Sequence, residues 1–332
     1  MMRSRRSTGS AHGVATRLPP REAKTAPLTA APSPVVLCES RPMLHKFVYR
    51  NDHVVSMQDV RLSPGQAGLL NGWGVFTTIR IYDGQPFAFD RHWSRLATDA
   101  NRLKIPLEWQ PENVFAHLGQ LIDSNHVKDG CARIYFVYNR VGSWVSDEPM
   151  PEVDLILYTA DLPERKGPVH LGIQPFGRYA SSPLAGVKVT SWLENVWMLD
   201  QALRRGFGEV ILLNEHNEVT ECTAANIFCV RKGEVTTPPL TAGCLPGVTR
   251  AILLELGEQF GAQVTEGPVR TEDLFAADEV FITSTTREVQ PVSQIEDRTL
   301  AQAGGPVTRR LAEAFSQYVA QSLLKTGTRA ST

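Results

Sequence analysis

The sequence predicts a mixed α/β fold in two domains, and three observations support this fold class. The chain has 332 residues, which is long enough for two separate hydrophobic cores. From Leu44 onward, short β-branched segments alternate with segments whose apolar residues recur at helical spacing. A polar segment at 161–168 then separates this pattern from a second half in which strands dominate.

Residues typical of tight turns divide the first half into successive elements. Asn51-Asp52 and Asp83-Gly84 each predict a hairpin between two neighbouring strands. A proline in its first turn marks the start of the second helix. In chain order, the expected strands are 47–49, 54–55, 75–81, 86–89, 132–138 and 153–159, and the expected helices are 91–103 and 111–125.

Tight turns at Asn217-Glu218 and Lys232-Gly233 organise the second half, because each joins antiparallel neighbours. This half is therefore expected to form a mainly antiparallel sheet or barrel with helices packed on it. Its expected strands are 169–173, 208–213, 219–221, 226–230, 264–266 and 279–283, and its expected helices are 194–205 and 248–260.

These patterns place the domain boundaries. We expect a first α/β domain at 43–162, a linker at 163–168, a second domain at 169–325 and a short tail at 326–332. Residues 1–42 are basic, poor in acidic residues and without hydrophobic periodicity, which predicts disorder. This leader has features of an organelle transit peptide, but the interpretation we favour is that the protein proper begins at Met43.

Composition excludes several classes of function. A formal net charge of −1 argues against a nucleic-acid partner, and no apolar run is long enough to span a bilayer. The five cysteines are scattered, without CxxC or Cys/His metal spacing, which indicates a reducing, cytoplasmic setting and no metal centre. Motifs of phosphate loops, dinucleotide-binding loops, zinc proteases and serine hydrolases are also missing from the sequence.

Two segments of the second half carry candidate reactive groups. Lys188 stands among small and β-branched residues, so it is expected on a strand with its amine in an enclosed space. Such an amine has a lowered pKa and can attack an aldehyde, although a strand lysine is more often a solvated edge residue. Glu221 ends a predicted strand just before Asn226 begins the next one. A carboxylate there is either surface decoration or a partner for a pyridinium nitrogen.

Two further segments are suited to an anion. Gly247 precedes a predicted helix, where the free N–H groups of Val248 and Thr249 can bind a phosphate. Ser284 and Thr285 belong to a run of hydroxyl residues at the end of a strand, which can supply further donors. The alternatives are an ordinary capped helix and a polar turn.

In their order and in their residues, these four segments resemble the aminotransferase class IV family, the fold-type IV enzymes that use pyridoxal 5′-phosphate. The resemblance runs from about Leu44 to about Gln321. It implies an N-terminal α/β sandwich, a C-terminal pseudo-barrel and a homodimer whose cofactor lies between the domains. The family includes branched-chain aminotransferases, D-amino acid aminotransferases and 4-amino-4-deoxychorismate lyases.

The resemblance also implies roles for individual residues. Lys188 binds the cofactor covalently and then moves the Cα proton, and Glu221 pairs with the pyridine nitrogen. The phosphate is held by Arg95, which stands in a His-x-x-Arg-Leu pattern, and by the groups of four other residues. These four are Val248, Thr249, Ser284 and Thr285.

The sequence indicates the cofactor more specifically than it indicates the reaction. Segments around Gly247 and Ser284 are similar to the aminotransferases, whereas Phe76–Arg80 and the segment after Glu221 are similar to the lyase. We expect amino-group transfer from an α-amino acid, of a branched-chain kind, to a 2-oxo acid such as 2-oxoglutarate. The alternatives are the lyase, releasing pyruvate and 4-aminobenzoate, and a non-catalytic homologue that binds the cofactor. The candidates for binding the substrate carboxylate are Arg133, Tyr135 and Arg140.

Overall fold

The computed structural model describes residues 43–61, 63, 65–140, 150–165 and 167–329, with side chains as far as 324. The expectations for residues 1–42 lie outside this described part. The loop at 141–149 lies outside it as well.

The first half forms a six-stranded sheet in the order β2-β1-β6-β5-β3-β4. Every neighbouring pair is antiparallel. Both predicted hairpin turns are confirmed, because Asn51, Asp52, Asp83 and Gly84 all adopt the positive φ that such turns require. The strands are β1 (Leu44–Arg50), β2 (His53–Ser56), β3 (Gly74–Tyr82), β4 (Gln85–Pro86), β5 (Asp129–Tyr138) and β6 (Val153–Ala160).

Three helices accompany this sheet: α1 (Ala67–Asn71), α2 (Phe89–Arg102) and α3 (Pro111–Ser124). Leu96 and Ala100, four residues apart on α2, are fully buried against the sheet, as are Leu118 and Leu121 of α3. The expected strand at 86–89 is wrong. Its pairing stops at Pro86, since Ala88 takes a left-handed conformation and α2 begins directly afterwards.

The second half forms a nine-stranded sheet in the order β12-β11-β10-β13-β14-β7-β8-β9, with β15 paired to β14. Most neighbours are antiparallel, but β11/β12, β14/β7 and β7/β8 are parallel. The strands are β7 (Val169–Gln174), β8 (Glu209–Leu213), β9 (Val219–Cys222), β10 (Asn226–Arg231), β11 (Glu234–Thr237), β12 (Val264–Glu266), β13 (Glu279–Ser284), β14 (Glu288–Ile295) and β15 (Arg298–Thr299).

Four helices belong to this half: α4 (Leu193–Arg204), α5 (Val248–Leu256), α6 (Thr271–Phe275) and α7 (Pro306–Arg329). The helices α5 and α7 bury Ile252 and Phe315 in one core with Phe228 and Phe281, whose rings stack at 4.8 Å. The sequence pattern did not predict β11, β14, α6 or α7. Residues 326–329, expected as a tail, continue α7.

Two kinds of feature are missing from the described part of the chain. None of its helices combines the length and the apolar content needed to cross a membrane. Over the same residues, no group of His, Cys, Asp and Glu side chains is arranged to hold a metal ion.

Candidate active site

A cavity of about 410 Å³ is lined by residues from both sheets. It brings together eight of the ten residues that the sequence indicated as site candidates. These are Arg95, Arg133, Lys188, Glu221, Val248, Thr249, Ser284 and Thr285. Residues far apart in the chain therefore border one enclosed space.

Lys188 reaches this cavity from an extended segment rather than from a strand, which corrects the expectation. The segment makes only an isolated bridge between Val189 and Val75 of β3. The Phe76 N–H donates to the Lys188 carbonyl at 3.0 Å, and the Thr190 N–H donates to the Gly74 carbonyl at 2.9 Å. The lysine follows the linker in sequence, yet it is hydrogen-bonded to the first sheet.

The surroundings of the Lys188 amine favour its neutral form. Its Nζ lies 4.4 Å from the ring centroids of both Phe76 and Trp192. Burial, together with the charge of Arg95, lowers the pKa of Lys188 to about 7, although Glu221 partly opposes this shift. A substantial fraction of the amine is therefore unprotonated, and nucleophilic, near neutral pH.

One face of α2 holds the segment that carries this lysine. Asp99 Oδ2 accepts a hydrogen bond from the Lys188 N–H at 3.2 Å. One turn further on, Arg102 donates to the carbonyls of Pro183 at 2.8 Å and Ala185 at 3.0 Å. Since Arg95, Asp99 and Arg102 recur at helical spacing, a single face of the helix positions both the backbone and the charge environment of the lysine.

Glu221 is buried on β9 and borders the cavity. Its Oε1 lies 3.0 Å from Arg178 Nη2, and its Oε2 accepts from the Leu245 N–H at 3.0 Å. Burial raises the pKa of Glu221, and the charge of Arg178 opposes that rise. The sequence carried no signal for Arg178, which lies in an irregular segment far from Glu221 in the chain.

Arg95 forms a cationic pole of the cavity. Its Nη2 donates to Thr77 Oγ1 at 2.9 Å and its Nη1 to the Pro246 carbonyl at 3.3 Å. Its buried Nε finds no hydrogen-bond partner within the described residues. His92 bonds the same Thr77 hydroxyl at 2.9 Å, and burial together with Arg95 lowers the pKa of His92 well below its usual value. The neutral His92 therefore adds no charge to this pole.

The start of α5 lies beside Arg95. Gly247 caps the helix with an extended backbone, and a side chain at this position would overlap Asn226 Oδ1. Asn226 in turn donates to the Leu245 carbonyl at 2.9 Å, which holds the loop before the helix. Val248 and Thr249 open the helix, where N–H groups lack intrahelical acceptors and the dipole favours an anion.

This arrangement fits pyridoxal 5′-phosphate. The start of α5, the buried Arg95 Nε and the hydroxyl residues Ser284 and Thr285 all belong to this cavity, and donors of these kinds suit a phosphate. The Lys188 amine can react with an aldehyde, and the Glu221 carboxylate can pair with a protonated ring nitrogen.

The three predicted substrate residues are placed differently. Arg133 lines the cavity and donates to the Tyr135 hydroxyl at 3.1 Å. Tyr135 supports Arg133 but is not among the lining residues. Arg140 does not line the cavity either, because its side chain is 70% exposed and lies 3.6 Å from Glu152.

Several residues that line the cavity were not predicted from the sequence. They are Phe76, Tyr158, Arg165 and Trp192. Phe76 and Tyr158 lie on predicted strands, so strand alternation could have indicated that they face inward. Arg165 falls in the expected linker, where no periodic pattern marks one residue as turned toward the interior.

The sequence model of the amino-transferase class IV family matches residues 74–295. The chain therefore belongs to the class IV amino-transferases, which are enzymes of fold type IV with pyridoxal 5′-phosphate as cofactor.

Known relatives in this family carry out different reactions. An aminodeoxychorismate lyase of Bacillus subtilis is 29% identical over 86% of this chain and 98% of its own length. A D-alanine aminotransferase of Bacillus licheniformis is 29% identical, with coverage of 85% and 97%. A branched-chain-amino-acid aminotransferase of Salmonella typhimurium is 27% identical, with coverage of 81% and 91%.

Solved structures support the fold assignment. The branched-chain aminotransferase of the thermophilic archaeon Thermoproteus uzoniensis, determined with norvaline, matches with a TM-score of 0.77 at 24% identity. The match covers 84% of this chain and 96% of that structure. The two-sheet architecture is therefore that of the fold-type IV aminotransferases.

Proposed function

We propose that the protein transfers an amino group from an α-amino acid, of a branched-chain kind, to a 2-oxo acid such as 2-oxoglutarate. The observation that carries the proposal is the position of the Lys188 amine, whose pKa is about 7, in a cavity with a cationic pole and a buried carboxylate. The cofactor, when bound, supplies an electron sink for the electrons of the substrate Cα–H bond.

In this proposal each residue has one task. Arg95, the N–H groups of Val248 and Thr249, and the hydroxyls of Ser284 and Thr285 bind the phosphate. With the cofactor bound, Lys188 would hold it covalently, and the neutral amine, once released, would take and return the substrate Cα proton. Glu221 holds a proton at the ring nitrogen.

Arg133 is proposed to bind a substrate carboxylate. Its guanidinium carbon lies 5.6 Å from the centroid of the Phe76 ring, and the Lys188 amine lies 4.4 Å from the same centroid. Burial lowers the pKa of Arg133, but the hydroxyls of Tyr135 and Tyr158 raise it by more, so the group stays charged. A carboxylate bound there lies next to the reacting amine.

Lys188→Ala tests the role of the lysine. We expect the variant to lose covalent cofactor attachment, measured by borohydride reduction and mass spectrometry of the peptide containing residues 187–189. Lys128→Ala, which removes an exposed lysine, is the matched control and keeps the adduct. A reduced adduct of normal yield in Lys188→Ala contradicts the proposal.

A substrate panel tests the reaction. Formation of glutamate from 2-oxoglutarate with an amino acid donor supports the transferase. Release of pyruvate from aminodeoxychorismate without a 2-oxo acid acceptor indicates the lyase, and no turnover of either kind indicates a homologue that only binds the cofactor.

The proposal extends to a homodimer in the cytoplasm. Leu193, Val196 and Trp197 form an apolar stripe on α4, where their exposures are 77%, 56% and 58%, and a second copy can cover this stripe. The four cysteines of the described part are buried free thiols, which suits a reducing compartment. Sedimentation of the purified protein at the mass of one chain contradicts the dimer.

A further inference from the structure

Arg165 is a half-buried cation that lines the cavity and has no carboxylate partner among the described residues. Its Nη2 donates to Thr286 Oγ1 at 3.4 Å, and its buried Nη1 has no partner in the part of the chain that the structure describes. Burial, together with the charge of Arg287, lowers its pKa to about 10. Placing a charge in such a site is costly unless a counter-ion neutralises it, so the site is suited to an anion.

Two acidic groups in this region of the structure are engaged elsewhere. Glu209, which raises the pKa of Arg165, is bonded to Arg287 at 3.0 Å and to Thr223. Asp161 lines the same cavity, but its side chain is 51% exposed and lies 3.1 Å from His45. Neither carboxylate forms an ion pair with Arg165 within the described ranges.

Arg133 is placed on the same side of the cavity. The strands β5 and β6 pair Cys131 with Ala160 and Arg133 with Tyr158, so these four residues share one face of the sheet. The chain leaves β6 at Ala160, and Arg165 follows five residues later. Cys131, Arg133 and Arg165 all line the same cavity.

The two arginines have different neighbours in the cavity. Arg133 and the Lys188 amine lie over the same ring, 5.6 Å and 4.4 Å from the Phe76 centroid, whereas Arg165 bonds Thr286. A substrate whose first carboxylate meets Arg133 therefore has its reacting carbon near Lys188. A second carboxylate on the same molecule then lies toward Arg165.

We propose that Arg165 is a specificity-determining residue that binds the second carboxylate of a dicarboxylic substrate, while Arg133 binds the first. The inference rests on the proposed function, because it assigns Arg95 to the cofactor phosphate and leaves two guanidiniums for two carboxylates. Both an amino or 2-oxo diacid, such as glutamate or 2-oxoglutarate, and aminodeoxychorismate have this chemistry.

The test compares Arg165→Gln with the native holoenzyme. Conversion of the bound cofactor by glutamate and, separately, by leucine is followed through its visible spectrum in single turnovers. Loss of one charged hydrogen-bond donor is expected to raise the half-saturating glutamate concentration by roughly 10- to 100-fold, and to leave that for leucine within about threefold. Arg140→Gln, an exposed arginine outside the cavity, is the matched control.

A binding measurement supplements the kinetics. Glutarate, a dicarboxylate that cannot react, is titrated into the holoenzyme, and Arg165→Gln should weaken its binding by a similar factor. Arg165→Lys should restore part of the affinity, because it restores the charge without the forked geometry. Circular dichroism and the spectrum of the bound cofactor verify that each variant is folded and loaded.

The outcomes separate the two proposals. Equal losses for glutamate and leucine in Arg165→Gln, or no change for either substrate and for glutarate, overturn the role of Arg165. If the native enzyme transfers no amino group but cleaves aminodeoxychorismate, the transferase proposal fails. In that case a rise in the half-saturating concentration of aminodeoxychorismate in Arg165→Gln still supports Arg165, and an unchanged value overturns it.

Discussion

The second half contains two glutamate–arginine pairs that have the same geometry and different surroundings. In each, a guanidinium nitrogen lies 3.0 Å from a carboxylate oxygen, Arg178 on Glu221 and Arg287 on Glu209. Glu209 is completely enclosed, and its second oxygen is occupied by the Thr223 N–H and hydroxyl. Glu221 borders the cavity. The two pairs therefore differ in their access to the cavity and not in their geometry.

The largest expected effect is on Glu221. Glu221→Gln keeps an oxygen for the Leu245 N–H but removes the charge that holds a proton on the ring nitrogen. We expect turnover to fall by at least about 100-fold, comparable to removing one key electrostatic stabiliser from an active site. Single-turnover kinetics of the folded, cofactor-loaded variant measure it. Turnover within a few-fold of the native value would place Glu221 with Glu209 as a structural residue.

Glu209→Gln should give the opposite pattern. Arg287 loses its counter-charge in an enclosed site, so we expect a loss of about 3 kcal/mol in the free energy of unfolding. Turnover of the folded fraction should remain within about threefold. Urea denaturation and single-turnover kinetics on the same preparation check both values, and a loss of turnover without a loss of stability would be the contrary result.

Gly247→Ala tests a backbone position that borders the cavity, in contrast to the side chains tested above. The new methyl group would push Asn226 away and disturb the loop before α5. Because this helix start is proposed to bind the phosphate, cofactor affinity is expected to fall by about tenfold, the loss of roughly one hydrogen bond. Gly119→Ala is the control, since a methyl group there meets open space. Equal affinities for both variants would remove the helix start from the phosphate site.

The smallest expected effect is a shift in a pH profile. With a pKa of about 7, the free-amine fraction of Lys188 rises by about tenfold between pH 6 and pH 8, and the rate of cofactor capture by the apoprotein should rise with it. Glu221 raises the pKa of Lys188, so Glu221→Gln should move the midpoint to lower pH. Glu209 is not among the groups that shift this lysine, so Glu209→Gln should leave the midpoint in place. Stopped-flow absorbance measures the profiles, and an equal shift in both variants would contradict the distinction.

Local signals predicted a large part of the fold. Both hairpins of the first half follow from turn residues that tolerate positive φ, and α2 and α3 follow from apolar residues at helical spacing. The strand β14 escaped prediction because Pro291 and several polar side chains interrupt its pattern. The segment of Lys188 was expected to be a strand because its residues suit one, yet it pairs with β3 at only a single bridge.

Only those residues of the candidate site that belong to recognisable sequence segments could be predicted. The segments around Lys188, Glu221, Gly247 and Ser284 form a recognisable series in one chain. The pairing of Arg178 with Glu221 and the inward direction of Arg165 depend on contacts between distant segments. Neither residue belongs to a repeating pattern, so both required the three-dimensional structure.

The attachment of the lysine segment has a mechanical consequence. Val187 is buried in the core of the first sheet, and Val189 packs against the same core, so the reactive amine moves as part of that half. The helix that starts at Val248 belongs to the other half. A rotation between the halves would therefore move the Lys188 amine away from Val248 and Thr249, so the proposed site requires the two sheets to keep one relative alignment.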